Sequence, residues 1–395
     1  MTVSPWQRPV DPVDVDIAVV GAGITGAATA FWLRRLEPDA RVGIAEAEHV
    51  AYGASGRNAG FLLLGIHRDY ASAVETYGAD VARRIWAFTE ETLDLVEAHA
   101  DPEAVGLAWP GSVIAAGSPD EAARLRHSHR LLGAEGVATE VVEPVDLRAR
   151  FGIRDLHGAL FVPRGGTVDP ARLVRWLIRE SGAEVWEQCP VASVSSGERG
   201  IRLGVAGGGR VEAGRVLVAT NAWAPTLVPR LEGVIRPVRA QMLATSPIKP
   251  LLQSPVYSHE GYVYVRQRSD GRILLGGARH LHADAEVGYD DATTAPLQDD
   301  LEAYLARHLP EAAGATVERR WSGTMGFSPD SLPLLADVED VPGALVAAGF
   351  TGHGMAFGMR FGLLAARALL GRPDPTADLF HSDRLKRTEA AGSLN

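Results

Sequence analysis

The chain has 395 residues, 46% hydrophobic and 22% charged, with 39 basic against 49 acidic side chains and a net charge of -10. That length exceeds what one hydrophobic core usually organises, so two intimately joined domains are expected, and an ordinary globular composition without low-complexity blocks excludes extensive disorder. The acidic balance repels polyanions and argues against nucleic acid, while the single cysteine, Cys189, excludes an intramolecular disulfide and fits a reducing compartment.

Along the chain, the uncharged stretch from Ile17 to Leu33 carries Gly21, Gly23 and Gly26, so it reads as strand, turn and helix rather than as a membrane span. Asp11, Asp14 and Asp16 stand where a signal peptide would need basic residues, and a cytoplasmic protein is expected. The strand is Ile17 to Val20, and the following helix packs through the small residues Ala27, Ala28 and Ala30. A second strand, Arg41 to Ala45, ends at Glu46. Then come a Gly/Ala/Ser loop from Tyr52 to Gly60, an amphipathic helix from about Ala79 to His99, and a strand from Leu107 to Ala116.

A helix from Pro119 to Leu132, a strand from Val137 to Val142 and a helix from Pro170 to Glu180 continue the alternation. Strands at Val191 to Val194, Ile201 to Val205 and Arg215 to Thr220 follow, with Gly207-Gly208-Gly209 as a hairpin turn between the last two. The alternation Tyr262-Val263-Tyr264-Val265, the turn Ser269-Asp270-Gly271 and the run Ile273 to Leu275 describe an antiparallel hairpin of a different sheet. Helices from Leu297 to His308 and from Met355 to Leu370 close the chain. The expected class is α/β: a Rossmann-like domain interleaved with an α+β domain built on an antiparallel sheet.

Gly21-Ala22-Gly23-Ile24-Thr25-Gly26 stands after a strand and before a helix, with Glu46 at the next strand end, twenty residues past the third glycine. The first glycine permits the tight turn and the second lets the backbone approach a pyrophosphate at the helix N-terminus. The third lets helix meet strand, and Glu46 can accept hydrogen bonds from ribose hydroxyls. This motif serves FAD and NAD alike.

Four further segments accompany it: Gly53-Ala54-Ser55-Gly56-Arg57-Asn58-Ala59-Gly60, Gly166 to Pro170, Ala219-Thr220-Asn221-Ala222-Trp223, and Asp330-Ser331-Leu332-Pro333 followed by Gly349-Phe350-Thr351-Gly352-His353-Gly354-Met355. In this order they resemble the D-amino-acid oxidase superfamily of FAD enzymes, which includes glycine, sarcosine and gamma-glutamylputrescine oxidases. The resemblance spans nearly the whole chain. It implies FAD contacts from Gly21 to Gly26, from Glu46 and Ala47, from Ala54, Ser55, Arg57, Asn58, Ala59, Gly60 and Phe61 along the pyrophosphate and flavin edge, and from Trp223. By the same resemblance Val191 meets the adenine, and Gly352, Gly354 and Met355 offer backbone N–H groups to the flavin pyrimidine oxygen. A helix N-terminus there suits the charge on reduced flavin, a need that NAD does not have. The resemblance also implies an FAD-binding domain over 13–66, 160–232 and 325–390, and a substrate domain over 67–159 and 233–324.

Departures from the family pattern refine the expectation. Met325 stands where glycine oxidase-like members carry a carboxylate-binding arginine, and Leu274 stands near where sarcosine oxidase-like members place an oxygen-activating lysine. Gly323 replaces the cysteine that resembles a flavin attachment point, and the loop from Ser55 to Gly60 has no histidine, so non-covalent FAD is expected. Trp321 to Asp330 looks most like the gamma-glutamylputrescine oxidase branch, which puts amines ahead of simple amino acids. An amino acid would need a substitute clamp, from Arg57, Arg239, Arg266 or Arg279.

Tyr262, Tyr264 and Arg266 share one face of their strand and are candidates for the substrate pocket. The plainer alternative is a buried sheet face with Arg266 reaching solvent. His353 is a candidate for holding substrate or tuning the flavin, or else a histidine satisfied by backbone. His280, His282 and Asp284 lack a second ligand pair, so no metal is expected, and no GxSxG or HExxH supports a hydrolase. The function implied is oxidation of a carbon-nitrogen bond in a small amine or amino acid, by hydride transfer to flavin N5, leaving an imine that hydrolyses. Electrons then pass to oxygen or another acceptor. Alternatives are an amino-acid dehydrogenase with a non-oxygen acceptor, a partner-dependent flavoprotein subunit, or an NAD enzyme sharing the glycine motif.

Overall fold

A computed structural model describes residues 13–66, 68–198, 200–312 and 314–385; the end of the expected cofactor domain, 386–390, lies outside them. Val13–Val20 is buried on both faces over its second half, the signature of a strand inside a parallel sheet. It pairs in parallel with Arg210–Val218 on one side and Val42–Ala45 on the other. The sheet runs in the order Leu334–Asp337, Ala344–Ala348, Arg210–Val218, Val13–Val20, Val42–Ala45, Glu184–Trp186. Val191–Gly197 and Gly200–Val205 form an antiparallel flap on Arg210–Val218, and the glycine turn closes as expected, Val205 N–H donating to the Gly209 carbonyl at 2.8 Å.

Helix Ile24–Leu36 lies on this sheet, and helix Gly354–Leu369 lies on that helix. Glycines set their closeness. A Cβ at Gly358 would stand 2.5 Å from Ile24 Cγ1, and one at Gly362 would stand 2.4 Å from Ala28 Cβ. The Trp32 indole locks the pair by donating to the Met359 carbonyl at 3.0 Å. Ile24 therefore sits against both Gly354 and Gly358, and the two helix N-termini lie side by side.

The second sheet runs Val317–Phe327, Arg236–Thr245, Ile273–Gly277, Val263–Gln267, Val256–Ser258, Ser112–Ala115, Ala159–Val162, Glu140–Val142. All neighbours are antiparallel except Val256–Ser258 with Ser112–Ala115. The expected strand from Leu107 to Ala116 is shorter here. Pro110 and a left-handed Gly111 (φ +73°) break it, and Ala108 instead bridges to Thr167. The strand from Val137 is likewise confined to Glu140–Val142. Two long strands carry no alternation strong enough to read in advance, Arg236–Thr245 and Val317–Phe327, and they pair over nearly their whole length. The latter and Ala159–Val162 run through residues 325 and 160, where the expected domain boundaries fall. Helix Tyr70–Tyr77, capped by the Asp69 carboxylate on the Ser72 N–H, is also additional to the expected elements. Among the described residues no helix is long and apolar enough to cross a membrane.

Candidate cofactor and substrate cleft

A continuous cleft opens at the carboxyl ends of Val13–Val20 and Arg210–Val218, the place where open α/β sheets bind ligands. Its floor is the glycine turn. Gly21 sits at φ +105°, and a Cβ there would meet the Ala219 carbonyl oxygen at 2.9 Å. Gly26 is tighter still, since its Cβ would stand 2.0 Å from the Gly21 carbonyl oxygen.

The amides at this turn already face oxygen. Ile24 N–H donates to Ser55 Oγ at 2.9 Å, and Ala22 N–H donates to Glu46 Oε2 at 2.7 Å. The other oxygen of Glu46 accepts from Glu48 N–H at 3.0 Å. Beside them the buried Thr220 hydroxyl has no hydrogen-bond partner among the described residues. Amides at a helix N-terminus, a carboxylate at the second strand end and an unspent hydroxyl form the donor and acceptor set that a dinucleotide's pyrophosphate and ribose require, so these residues fit FAD.

The remaining expected cofactor residues are distributed along the same cleft. Ala47, Val191 and Trp223 stand at its outer end, where the Trp223 ring lies tilted on Tyr289 at 5.5 Å and Cys189 forms part of the wall. Ala54, Ser55, Asn58, Ala59 and Phe61 continue inward with Ile24 and Thr25. Asn58 organises this loop, accepting from Gly60 N–H at 2.7 Å and donating to the Ala54 and Ser55 carbonyls, both at 3.0 Å. Gly60 and Gly26 act beneath the surface: a Cβ at Gly60 would stand 2.1 Å from the Val168 carbonyl oxygen. Arg57 ties the loop across the cleft, with Nη1 at 2.7 Å from Asp291 and 2.9 Å from the Ser322 carbonyl.

At the inner end, Gly352, His353, Gly354 and Met355 line the cleft at the start of helix Gly354–Leu369. Asn221, left-handed at φ +46°, accepts from Gly349 N–H at 3.0 Å and so pins this turn to the parallel sheet. Sequence reasoning placed the segment of Asn221 but not this clasp, because the partner is 128 residues away.

Beyond that turn the cleft widens into a chamber walled by the second sheet. Tyr264 and Tyr262 line it, and so does Tyr257, which the sequence reading missed. The register explains its presence: Tyr257 faces Tyr264 directly across the strand pair, and the rings stack at 5.7 Å and 24°. Met325 and Phe327, two residues apart on one strand face, form the opposite wall. Burial pushes the Tyr264 phenol up to about 12 and the Tyr257 phenol higher. His353, edge-on to Tyr257 at 6.1 Å, is pushed down to about 4 by burial, with Nδ1 3.3 Å from the Thr351 carbonyl.

Arg266 corrects the sequence reading. It shares the tyrosine face but neither lines the chamber nor reaches solvent. Its side chain is buried and donates to the Gly60 carbonyl at 3.1 Å, and burial pulls it down to about 10. His282 is held by Asp300 at 2.6 Å and His280 stacks on Tyr262 at 4.6 Å, so their side chains have structural partners.

A family model described as FAD dependent oxidoreductase matches residues 16–368. Glycine oxidase of Geobacillus kaustophilus is 28% identical, the alignment covering 92% of this chain and 95% of that protein. Gamma-glutamylputrescine oxidoreductase of Escherichia coli is 25% identical over 96% of this chain and 89% of its own length. The crystal structure of glycine oxidase from Geobacillus kaustophilus superposes with a TM-score of 0.79 at 25% identity, covering 93% of this chain and 98% of that one.

Proposed function

The chain belongs to the FAD-dependent oxidoreductase family, and from that premise we propose that it oxidises the carbon-nitrogen bond of a small amine or amino acid to an imine, which water hydrolyses. The observation that carries the reading is the convergence of two helix N-termini on one cleft that ends in a tyrosine-walled chamber. When bound, FAD supplies the acceptor for the hydride that leaves the substrate carbon. The chain's own residues do the rest by position. Ala22 to Gly26, Glu46 and Ser55 would take the pyrophosphate and ribose, and the positive end of the helix that starts after His353 would favour the charge of a reduced flavin held beside it. FAD would be held without a covalent bond, a reading supported by the lack of histidine in the loop from Ser55 to Gly60 and by Gly323 at the position that resembles a flavin-attaching cysteine. Tyr257, Tyr264, Met325 and Phe327 exclude water from the reacting carbon and fix its approach.

The chamber supports substrate entering as the free amine. Tyr257 and Tyr264 hold their protons through the neutral range, and His353 is already neutral above about 4, so none of these three changes charge between about 5 and 10. Activity is therefore expected to rise with pH until the substrate amine itself has lost its proton, with kcat/KM levelling at the amine's own pKa. A profile that stays flat, or that breaks at one value whatever the substrate, would count against entry as the free amine.

The proposal is tested by the visible spectrum of the purified protein, taken anaerobically with a panel of amines and D- and L-amino acids, then in air. Bleaching by one class followed by recovery in air assigns an oxidase, and bleaching without prompt recovery assigns a dehydrogenase with another acceptor. A flavin that no amine or amino acid bleaches removes the proposal. The single cysteine, Cys189, which is buried, is consistent with a cytoplasmic setting.

A further inference from the structure

Among the described residues, Arg279 lines the chamber as a cation whose side-chain hydrogen-bonding groups are unspent. Gly277 (φ +114°) and Ala278 (φ +58°) reverse the chain at the end of strand Ile273–Gly277 and turn Arg279 back over the chamber. There its guanidinium carbon lies 4.9 Å from the centroid of the Tyr262 ring and 4.8 Å from that of Phe327. The two faces support the cation without consuming its N–H edge. No carboxylate of the described residues forms an ion pair with it.

The other arginines near the cleft turn away from the chamber: Arg57 pairs with Asp291 at 2.7 Å and Arg239 with Glu286 at 2.9 Å, while Arg266, without a carboxylate among the described residues, sends Nη1 to the Gly60 carbonyl at 3.1 Å and leaves its buried Nε without a partner there. Arg279 is thus the arginine of this group that faces the chamber with its charge unmatched, and its field bears on its neighbours, favouring the neutral state of His353 and the ionised state of Tyr257 and Tyr264 against the larger effect of burial. A planar fork of N–H donors without a partner among the described residues, in a chamber lined by Tyr257, Tyr264, Met325 and Phe327, selects a carboxylate, which it can take through two parallel hydrogen bonds. The same charge repels an ammonium group, so a diamine without an acid group pays twice, in repulsion and in an unpaired arginine.

Resting on the amine-or-amino-acid reading above, we propose that Arg279 anchors a substrate carboxylate and that the substrate is an amino acid, not a simple amine. The carboxylate would lie on Arg279, with the amino-bearing carbon projecting past Tyr257 and Tyr264 toward the turn at Gly352. Anchored in this way, the substrate presents its carbon in one orientation, and Arg279 acts by positioning.

The test uses the holoenzyme and two independent readings. In the first, benzoate and, separately, benzamide are titrated against the flavin absorption spectrum. Benzoate is expected to perturb the spectrum and benzamide not to. Arg279→Met should weaken benzoate at least about 100-fold with flavin content unchanged, and Arg279→Lys should restore part of the affinity, because it returns the charge without the fork. Benzoate that binds equally to wild type and Arg279→Met, or that fails to bind wild type, overturns the proposal. The second reading needs no variant: amino acids should bleach the flavin anaerobically while their decarboxylated amines do not. Bleaching by the amines alone overturns the anchor yet leaves carbon-nitrogen oxidation standing. A flavin that nothing bleaches, but whose spectrum benzoate shifts in an Arg279-dependent way, removes the reaction and leaves the anchor.

Discussion

Replacing Gly26 with alanine is expected to give a protein that purifies without its yellow colour. The added Cβ would stand 2.0 Å from the Gly21 carbonyl oxygen and 3.1 Å from Val19 Cγ1, and the first of these is backbone. Neither can move alone: Gly21 is fixed by its own left-handed turn against the Ala219 carbonyl, and Val19 is fully buried in the sheet. The helix must lift away, which carries the Ile24 amide from Ser55 Oγ and from the turn proposed to hold the cofactor phosphates. Overpacking of this kind costs about 1–3 kcal/mol of stability. The loss in FAD affinity should be at least about 100-fold, since every ~1.4 kcal/mol is a factor of ten and several amide contacts shift together. The check is the ratio of flavin to protein absorbance on purification, with circular dichroism to confirm folding. Gly53→Ala is the matched control, because it lies in the same cleft, has φ -71°, and its Cβ would meet nothing within 4 Å. A Gly26→Ala protein with full flavin content would show that helix approach does not govern cofactor binding.

What could be read from residues alone divides along sequence distance. The strand, glycine turn, helix and Glu46 were legible because one local stretch supplies periodicity, turn chemistry and acidic residue together. The hairpin with Tyr262 and Tyr264 was legible for the same reason, as alternation next to a Ser-Asp-Gly turn. Tyr257 was not, since its place depends on which strand pairs with Val263–Gln267. Arg266 and Arg279 invert the reading most sharply. On a strand diagram Arg266 belongs with the two tyrosines, yet its length carries it past the chamber to the Gly60 carbonyl. Arg279 lies beyond the strand's regular part, and only the left-handed pair Gly277 and Ala278 returns it to the chamber. The four arginines were equal in the sequence because the partners that distinguish them, Asp291, Glu286 and Gly60, are 47 to 234 residues away. The long strands Arg236–Thr245 and Val317–Phe327 were obscured by polar positions that make sense only once one face meets the cofactor side and the other meets helix Ala295–His308.

The segment that presents Arg279 is held by a buried ion pair, and breaking that pair should cost both stability and carboxylate binding. Arg239 and Glu286 have side chains only 7% and 1% exposed. Arg239 Nε and Nη2 reach the two Glu286 oxygens at 2.9 and 3.1 Å, Nη2 also donates to the Ala285 carbonyl at 2.8 Å, and Gln241 Nε2 donates to Glu286 at 2.8 Å. The backbone bridge between Val238 and Val287 continues the attachment, and Asp291 carries it on to Arg57 at 2.7 Å. Strand Arg236–Thr245 thus clamps residues 279–291 between the chamber and the cofactor loop. Arg239→Met leaves a buried carboxylate without its cation, which costs about 3–5 kcal/mol. In a chain of this length that corresponds to a fall in Tm of about 5 °C. The double variant Arg239→Met with Glu286→Leu removes both charges and should recover most of the lost Tm, because well-packed apolar residues can replace a buried pair at little net cost. Recovery of benzoate affinity is expected to be incomplete, since the hydrogen bonds that orient the segment below Arg279 are not rebuilt. Thermal unfolding with benzoate titration of the wild type, both single variants and the double variant checks this. If the double variant were no more stable than Arg239→Met, the cost would lie in lost packing and not in the stranded charge.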